Sequence, residues 1–135
     1  MKQFNCLNCG KLKNISRNSY NKYCSVKCHQ DLVFKEKFKL FLKNKLNVFI
    51  HHSATRRALI YRDGNKCSVC NIKKWKNKPI VFEIEHKDGN SSNHRASNLC
   101  LICPNCHSQT STYKGRNKGY GREARRLKYQ ERKLK

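Results

Sequence analysis

Apolar residues are sparse along this chain, but their spacing predicts two helices in its first half. Between residues 25 and 49 they recur every three or four positions, at Phe34, Phe38, Phe41, Leu42, Leu46 and Phe49. Lysines occupy much of the intervening sequence, so this period predicts an amphipathic linker helix with one cationic face. Ser53 is placed to cap a second, shorter helix over residues 54–62, and the Asp63-Gly64-Asn65 turn would end it.

A different pattern in the second half predicts two strands and a further helix. Residues 79–85, PIVFEIE, carry apolar side chains at alternate positions, which is the period of a half-buried strand. Residues 86–98, HKDGNSSNHRASN, are rich in turn-forming residues and predict a loop. Leu99–Ile102 indicates a second strand, and a helix should open near Asn105 and run to about Tyr113. The predicted order is strand, loop, strand, helix.

The chain contains nine cysteines, and four of them lie within the first thirty residues. A C-x-x-C pair is followed by a C-x-x-x-C pair, and these spacings fit one tetrahedral structural zinc. Buried, unpaired cysteines have no reason to recur at ligand spacing, so the metal interpretation is preferred. The predicted ligands are Cys6, Cys9, Cys24 and Cys28, with His29 as the alternative to Cys28.

A second zinc site is predicted from Cys67 and Cys70, which need two partners downstream. Pro104 and Asn105 favour a tight turn between the last two cysteines, whereas residues 99–102 indicate a strand. The predicted ligands are therefore Cys67, Cys70, Cys103 and Cys106, although His107 could replace Cys106. Cys100 is then the odd thiol, and we expect it to be a small core residue.

Composition and charge narrow the classes of protein that the chain can be. With 135 residues, 37% of them hydrophobic, and a mean hydropathy of −0.91, it cannot bury a large core, so metal must supply part of its stability. Residues 1–10 show no apolar signal segment, and no run of eighteen apolar residues occurs. We therefore expect a cytoplasmic protein with reduced thiols, for which zinc is preferred over disulfides.

The formal net charge of +23 calls for a polyanionic partner, and nucleic acid is the obvious one. Lysine and arginine are spread through every segment rather than lining one long amphipathic helix, which argues against a membrane surface. Residues 115–135 form a basic tail, helical from about Arg122, that should become ordered on nucleic acid.

The most informative stretch is EIEHKDGNSSNHRASNLCLICPNCH, from Glu83 to His107. The chain has only eight acidic residues, yet Glu83, Glu85 and Asp88 all lie close to His86 in sequence. A phosphate-binding surface gains nothing from negative charge, so we interpret these carboxylates as candidate metal ligands.

His86, Asn98 and His107, bracketed by two C-x-x-C pairs, resemble the motif of HNH nucleases, also called ββα-metal or His-Me finger nucleases. The resemblance covers roughly residues 58–114 and is closest to small free-standing, phage-type or homing-like members. It implies an α+β fold in which a zinc-stapled ββα-metal core of residues 58–114 is joined to an N-terminal zinc finger of residues 1–30. A linker helix would occupy residues 31–57, and the tail residues 115–135.

The same resemblance implies a DNA endonuclease with no small-molecule substrate. Glu85 and His107 would bind one catalytic divalent cation, Mg²⁺, Mn²⁺ or similar, and His86 would be the general base. Asn98 would either orient His86 or join the metal ligands. Strand neighbours point to opposite faces, so the strand must end where Glu85 and His86 serve one site.

The alternative function is a non-catalytic zinc-finger protein that binds DNA or RNA. A binding module would not need to keep Glu85, His86, Asn98 and His107 together. Three side chains carry local alternatives. Glu83 could orient a histidine or be solvated, His94 should be exposed or a phosphate contact, and Trp75 should pack in the core or over the cysteines rather than stack on a base.

Overall fold

A computed structural model of the chain describes residues 3–15, 22–45, 49, 51–117 and 122–133. The chain divides into two compact units, Met1–Leu40 and Phe41–Lys135. Both units contain helices and short antiparallel strands, so the expected α+β class is confirmed. Within the described ranges, no helix is long and apolar enough to cross a lipid bilayer.

The first unit opens with a hairpin of two short strands. β1 (Gln3–Asn5) pairs antiparallel with β2 (Leu12–Asn14). The connection turns at Gly10, whose φ of 72° is a conformation that glycine adopts without steric cost. The Gly10 amide donates to the Cys6 carbonyl at 2.8 Å, so the backbone folds tightly around the first cysteine pair.

The predicted amphipathic helix is present but shorter than its period suggested. α1 (Val26–Leu42) ends just before Asn44, whose φ of 56° is typical of a residue that terminates a helix. Phe49 is buried outside the helix, where its ring lies 5.4 Å from that of Phe41 in an edge-on contact. Leu46, which the same period included, lies outside the described residues.

The second helix begins earlier than predicted. α2 (His52–Asp63) has His51 at its N-cap, with no side-chain capping bond, so the prediction that Ser53 caps it is wrong. Thr55 stabilises this end instead, because its hydroxyl donates to two backbone carbonyls just upstream. The predicted end is confirmed: Gly64 has a φ of 80° and closes the last turn.

The segment that resembles a nuclease core has the predicted order of elements. β5 (Glu83–His86) pairs antiparallel with β6 (Leu99–Ile102), and Glu85 lies opposite Cys100. α3 (Pro104–Ser108) follows immediately. The boundaries differ from prediction, since the strand begins four residues later than residue 79 and the helix ends before residue 113.

A second small hairpin precedes β5. β3 (Lys74–Trp75) and β4 (Lys78–Pro79) pair antiparallel, and the two residues between them, Lys76 and Asn77, both have positive φ. In the tail, α4 (Arg122–Lys133) begins where the sequence predicted a helix.

The core of the second unit is built around β6, all four residues of which are buried. Cys100 is among them, as expected of the cysteine outside both zinc motifs. Arg62 of α2 fastens this region, since its guanidinium donates to the carbonyls of Ala96 and Leu99 at 2.5 and 2.9 Å. The other core side chains are Phe41, Phe49, Ala58, Leu59, Cys67, Phe82, Ala96 and Cys103.

Candidate active site

The eight cysteines of the two predicted zinc sites form two separate clusters. Cys6, Cys9, Cys24 and Cys28 form one, and Cys67, Cys70, Cys103 and Cys106 form the other. In each cluster the four Sγ atoms lie within 4.8 Å of one another. A tetrahedral zinc with bonds of about 2.3 Å would hold its sulfur ligands about 3.8 Å apart. The Cys28–Cys9 and Cys70–Cys103 Sγ distances are 3.7 and 3.8 Å, so each cluster could hold such an ion.

Backbone amides prepare one thiol in each cluster for the thiolate form. Burial raises the pKa of the Cys67 thiol. Hydrogen bonds from the backbone amides of Cys70, Cys103 and Val69 lower it by more, so that the pKa is about 6. The Cys6 thiol has a pKa of about 6 for the same balance of causes. Metal-bound cysteine must be deprotonated, and these amide contacts favour that state.

The second cysteine cluster also positions α3. Cys103 is the N-cap of this helix, and its Sγ accepts a hydrogen bond from the Cys106 amide at 3.4 Å. Pro104 occupies the first turn, where its missing N–H is not needed. His107 lies one residue beyond Cys106, so the metal-ligand motif fixes the backbone that carries this histidine.

His107 lies between two carboxylates from β5. Its Nδ1 contacts Glu83 Oε2 in a short hydrogen bond, and its Nε2 lies 3.0 Å from Glu85 Oε2. Glu83 and Glu85 point to the same face because they are two residues apart on one strand. Glu83 is thus in contact with a histidine although it is exposed, and its orienting role stays a prediction.

Glu85 is a buried carboxylate, only 7% exposed. Its Oε1 accepts a hydrogen bond from the Thr112 hydroxyl at 2.5 Å, while Oε2 faces His107. A buried carboxylate is costly unless it is paired and hydrogen-bonded. These two contacts hold the group in place and leave its charge directed at the imidazole.

His86 is the last residue of β5, so the strand ends where the sequence required it to end. The side chain is half-buried, and its Nε2 has no hydrogen-bond partner among the described residues. Burial lowers the pKa of His86, as does the nearby His94 imidazole, with Asp88 and Glu85 acting in the opposite direction. The neutral imidazole is therefore favoured, and His94 lies edge-on to it with ring centroids 5.3 Å apart.

Asn98 is buried, and its amide is engaged within the loop that follows β5. Nδ2 donates to Asp88 Oδ1 and to the Asn93 carbonyl, both at 2.9 Å. Oδ1 accepts the Asp88 amide at 3.1 Å. These contacts are with Asp88 and with the loop backbone rather than with His86, so Asn98 holds the loop, and both expectations for its role stay predictions.

Two residues that the sequence analysis missed, Thr112 and Asn117, complete this region together with Gly89 of the turn after His86. Thr112 binds Glu85, and Asn117 Nδ2 donates to the Gly89 carbonyl at 2.8 Å. Gly89 has a φ of 71°, and a Cβ there would lie 2.8 Å from the Thr112 methyl group, so only glycine fits. Together they close a cavity of about 160 Å³ that is also lined by Ile84, Glu85, His86, Ser91 and His107.

The Glu85–His107 pair is suited to a cation. If Nδ1 of His107 donates its proton to Glu83, the Nε2 lone pair faces a carboxylate oxygen, and a proton or a metal ion between the two atoms would remove their repulsion. The 3.0 Å separation is that of an ordinary hydrogen bond. A carboxylate and an imidazole are also ligands that a divalent cation could take, so Glu85 and His107 could hold one.

Comparison with known proteins adds an independent observation. Over 55 residues, or 41% of its length, the chain is 51% identical to H-N-H endonuclease F-TflIV of Escherichia phage T5. The resemblance to H-N-H endonucleases is confirmed. The chain spans about a quarter of that relative, since the match covers 24% of its length. No family model matches the chain, and no solved structure matches it.

Proposed function

We propose that this protein is a metal-dependent HNH endonuclease that hydrolyses DNA phosphodiester bonds. The observation that carries the proposal is one cavity lined by Glu85, His86 and His107, in which the Glu85 carboxylate faces His107. The Nε2 atom of His86 is buried and has no hydrogen-bond partner among the described residues, so no protein contact engages the imidazole through that atom. A general base needs a free lone pair, and a cation needs anchored ligands. The similarity to a phage H-N-H endonuclease supports the same conclusion.

In this mechanism His86 accepts the proton of the attacking water. The water oxygen forms the new bond to phosphorus, the ester oxygen leaves, and a proton from solvent completes the alcohol. Because its pKa is lowered, His86 remains largely neutral, and so able to act, at the pH of a cell. Asn98 would hold the loop that begins directly after this histidine.

Glu85 and His107 are the proposed ligands of one divalent cation. Such a cation neutralises charge that develops on the phosphate and on the leaving oxygen. Glu83 would fix the ring of His107 so that Nε2 points at the cation, an arrangement that commonly raises metal affinity. A carboxylate with an imidazole suits Mg²⁺, and it suits Mn²⁺ or similar ions better.

The two cysteine clusters are proposed to hold two structural zinc ions. In an N-terminal zinc finger the first cluster would close the β1–β2 hairpin onto the start of α1. The second would staple residues 67–70 to the start of α3. Clusters of this kind contribute folding free energy that a small core lacks.

DNA is the proposed partner, and the charge of +23 supports it. Basic residues of the C-terminal tail would neutralise phosphates without reading sequence. A cytoplasmic site of action, within a host cell if the gene is phage-borne, stays a prediction.

The deciding experiment incubates zinc-loaded protein with supercoiled plasmid, with and without added Mg²⁺ or Mn²⁺. Metal-dependent nicked or linear product, absent from a parallel reaction with His86→Ala, is the expected result. DNA binding without cleavage under every divalent metal would instead support the alternative of a non-catalytic zinc-finger protein.

A further inference from the structure

The β3–β4 hairpin carries an exposed aromatic side chain, Trp75. Lys76 and Asn77 have φ values of 46° and 62°, which is the pattern of a type I′ turn. This turn brings Trp75 directly opposite Lys78 across the ladder. Residues opposite each other in a hairpin project to the same face, so the indole and one ammonium group share a surface.

Trp75 is 58% exposed, so the expectation that it packs in the core is wrong, whereas the other expectation, that it covers the cysteines, stays a prediction. It lines a broad groove of about 760 Å³ together with Ile72, Pro79 and Ile80. The rest of the lining includes three members of the second cysteine cluster, Cys70, Cys103 and Cys106. The groove is open and largely apolar, and a large exposed aromatic ring beside such a groove can serve as a binding surface.

The hairpin that borders this groove is strongly cationic. Lys76 and Lys78 line the groove, and Lys73 and Lys74 directly precede Trp75 in sequence. All four are exposed, and none of them pairs with a carboxylate in the part of the chain that the structure describes. Four positive charges within six residues repel one another, and an anionic ligand would relieve that repulsion.

We propose that this hairpin and groove bind a DNA strand through one unpaired base, which stacks on Trp75 while the four lysines contact neighbouring phosphates. Aromatic platforms combined with cationic grooves are how proteins hold single-stranded nucleic acid. The proposal rests on DNA being the substrate, but it does not depend on cleavage.

The position of the groove connects it to the proposed chemistry. Cys106 contributes to the groove wall, and the next residue, His107, lines the cavity that contains Glu85 and His86. A strand held by Trp75 would therefore lie along the helix that carries the proposed cation ligand. The hairpin would hold one flank of the site at which the backbone is cut.

The chain offers a site-specific reporter, because Trp75 is its only tryptophan. Zinc-loaded His86→Ala protein, without added divalent metal, is titrated with single-stranded oligothymidylate and, separately, with a blunt duplex of equal length. Tryptophan fluorescence and the anisotropy of labelled oligonucleotide are followed together. We expect the single strand to quench the tryptophan fluorescence to a plateau that coincides with saturation of binding. The blunt duplex should quench it at least several-fold less.

Variants separate stacking from charge. Stacking worth about 1 to 3 kcal/mol per base predicts that Trp75→Ala weakens binding of the single strand by about 5- to 150-fold. Trp75→Phe should restore part of that affinity, and Tyr61→Ala, which removes an exposed aromatic ring from α2, should not weaken binding. Replacing the four lysines by alanine should reduce the salt slope by about 0.7 for each phosphate that the protein no longer neutralises.

Two results would overturn the proposal. The first is oligonucleotide binding, seen by anisotropy, with unchanged tryptophan fluorescence; the second is equal quenching by the blunt duplex. Plasmid cleavage by wild-type protein without quenching would refute the proposed binding surface but not the proposed nuclease activity. Quenching without cleavage by wild-type protein would refute the nuclease activity but not the binding surface. Zinc content and circular dichroism confirm that each variant is folded.

Discussion

Asn98 and Asp88 are joined by two hydrogen bonds that run in opposite directions. The Asn98 amide group donates to the Asp88 carboxylate, and its oxygen accepts the Asp88 backbone N–H. The same contact holds the pKa of Asp88 below its usual range: burial opposes this shift, but hydrogen bonds from Asn93, Asn90 and Asn98 outweigh it. The pair closes the loop that starts immediately after His86, and so it fixes the direction in which the chain leaves β5.

Replacing Asn98 should therefore damage both stability and cleavage. Asn98→Ala removes three part-buried hydrogen bonds that hold the loop, which should lower the free energy of unfolding by about 1 to 3 kcal/mol. Ser97→Ala, at the exposed neighbouring position, is the matched control and should change little. Denaturant unfolding and plasmid cleavage check both effects, and wild-type cleavage by Asn98→Ala would contradict the positioning role.

His86→Ala should lower the cleavage rate by about 10² to 10⁴-fold while DNA affinity changes little, because it removes the proton acceptor and spares the cationic surface. Glu85→Ala and His107→Ala should also abolish cleavage, through weakened metal binding, so excess Mn²⁺ should partly rescue them. It should not rescue His86→Ala. His52→Ala, at an exposed histidine of α2, is the matched control and should keep most of the activity. Cleavage by His86→Ala at the wild-type rate would refute the assignment.

Glu83→Gln tests whether this residue orients His107. We expect the affinity for Mn²⁺ to fall by about 10- to 100-fold, since contacts of this kind hold a ligand imidazole in place. Titration calorimetry measures the affinity directly, and saturating Mn²⁺ should restore most of the cleavage rate. Glu36→Gln, an exposed carboxylate on α1, serves as control. Unchanged Mn²⁺ affinity in Glu83→Gln would show that the contact has no such role.

Elemental analysis should find about two zinc ions per chain. Cys67→Ser should lose one zinc and destabilise the second unit, because the remaining thiolates cannot complete a tetrahedral site. Cys100→Ser provides a stringent comparison, since Cys100 is buried but belongs to neither cluster. It should retain both ions. Full zinc content and native stability in Cys67→Ser would rule out the assignment.

Removal of residues 119–135 should weaken DNA binding equally for all sequences and reduce its dependence on salt. Each neutralised phosphate contributes about −0.9 to the slope of log affinity against log salt, so the slope should become shallower by that amount for every phosphate that the tail had neutralised. Binding isotherms at several salt concentrations measure it. A truncation that altered base preference alone would argue against this role of the tail.

Local spacing was sufficient to predict much of the site. The cysteine pairs, the turn after His86 and the order of β5, β6 and α3 all follow from contacts between residues close in sequence. The start of β5 could not be predicted in this way. Residues 80–82, just before β5, alternate like a strand. They have no partner on β6, because β6 ends at Ile102 and the next residue, Cys103, belongs to the cysteine cluster.

Long-range contacts were the other limit of sequence reasoning. Thr112 binds Glu85 across 27 positions, and Asn117 binds Gly89 across 28, and neither pair carries a local signal. The core position expected for Trp75 was wrong, because this residue lies in a two-residue strand of a small hairpin whose residues are all exposed. Ser53 was misjudged because α2 begins at His52, which places this serine inside the first turn.

The five residues of α3 carry ligands of two different metals: Cys106, proposed for zinc, and His107, proposed for the catalytic cation. With both metals bound as proposed, this arrangement would set an order of assembly. The helix has its N-cap at Cys103, so zinc binding by the cysteines would precede the stable placement of His107 opposite Glu85. A newly made chain would then be harmless to DNA until it has acquired zinc, and a cell short of zinc would accumulate an inert form of the protein.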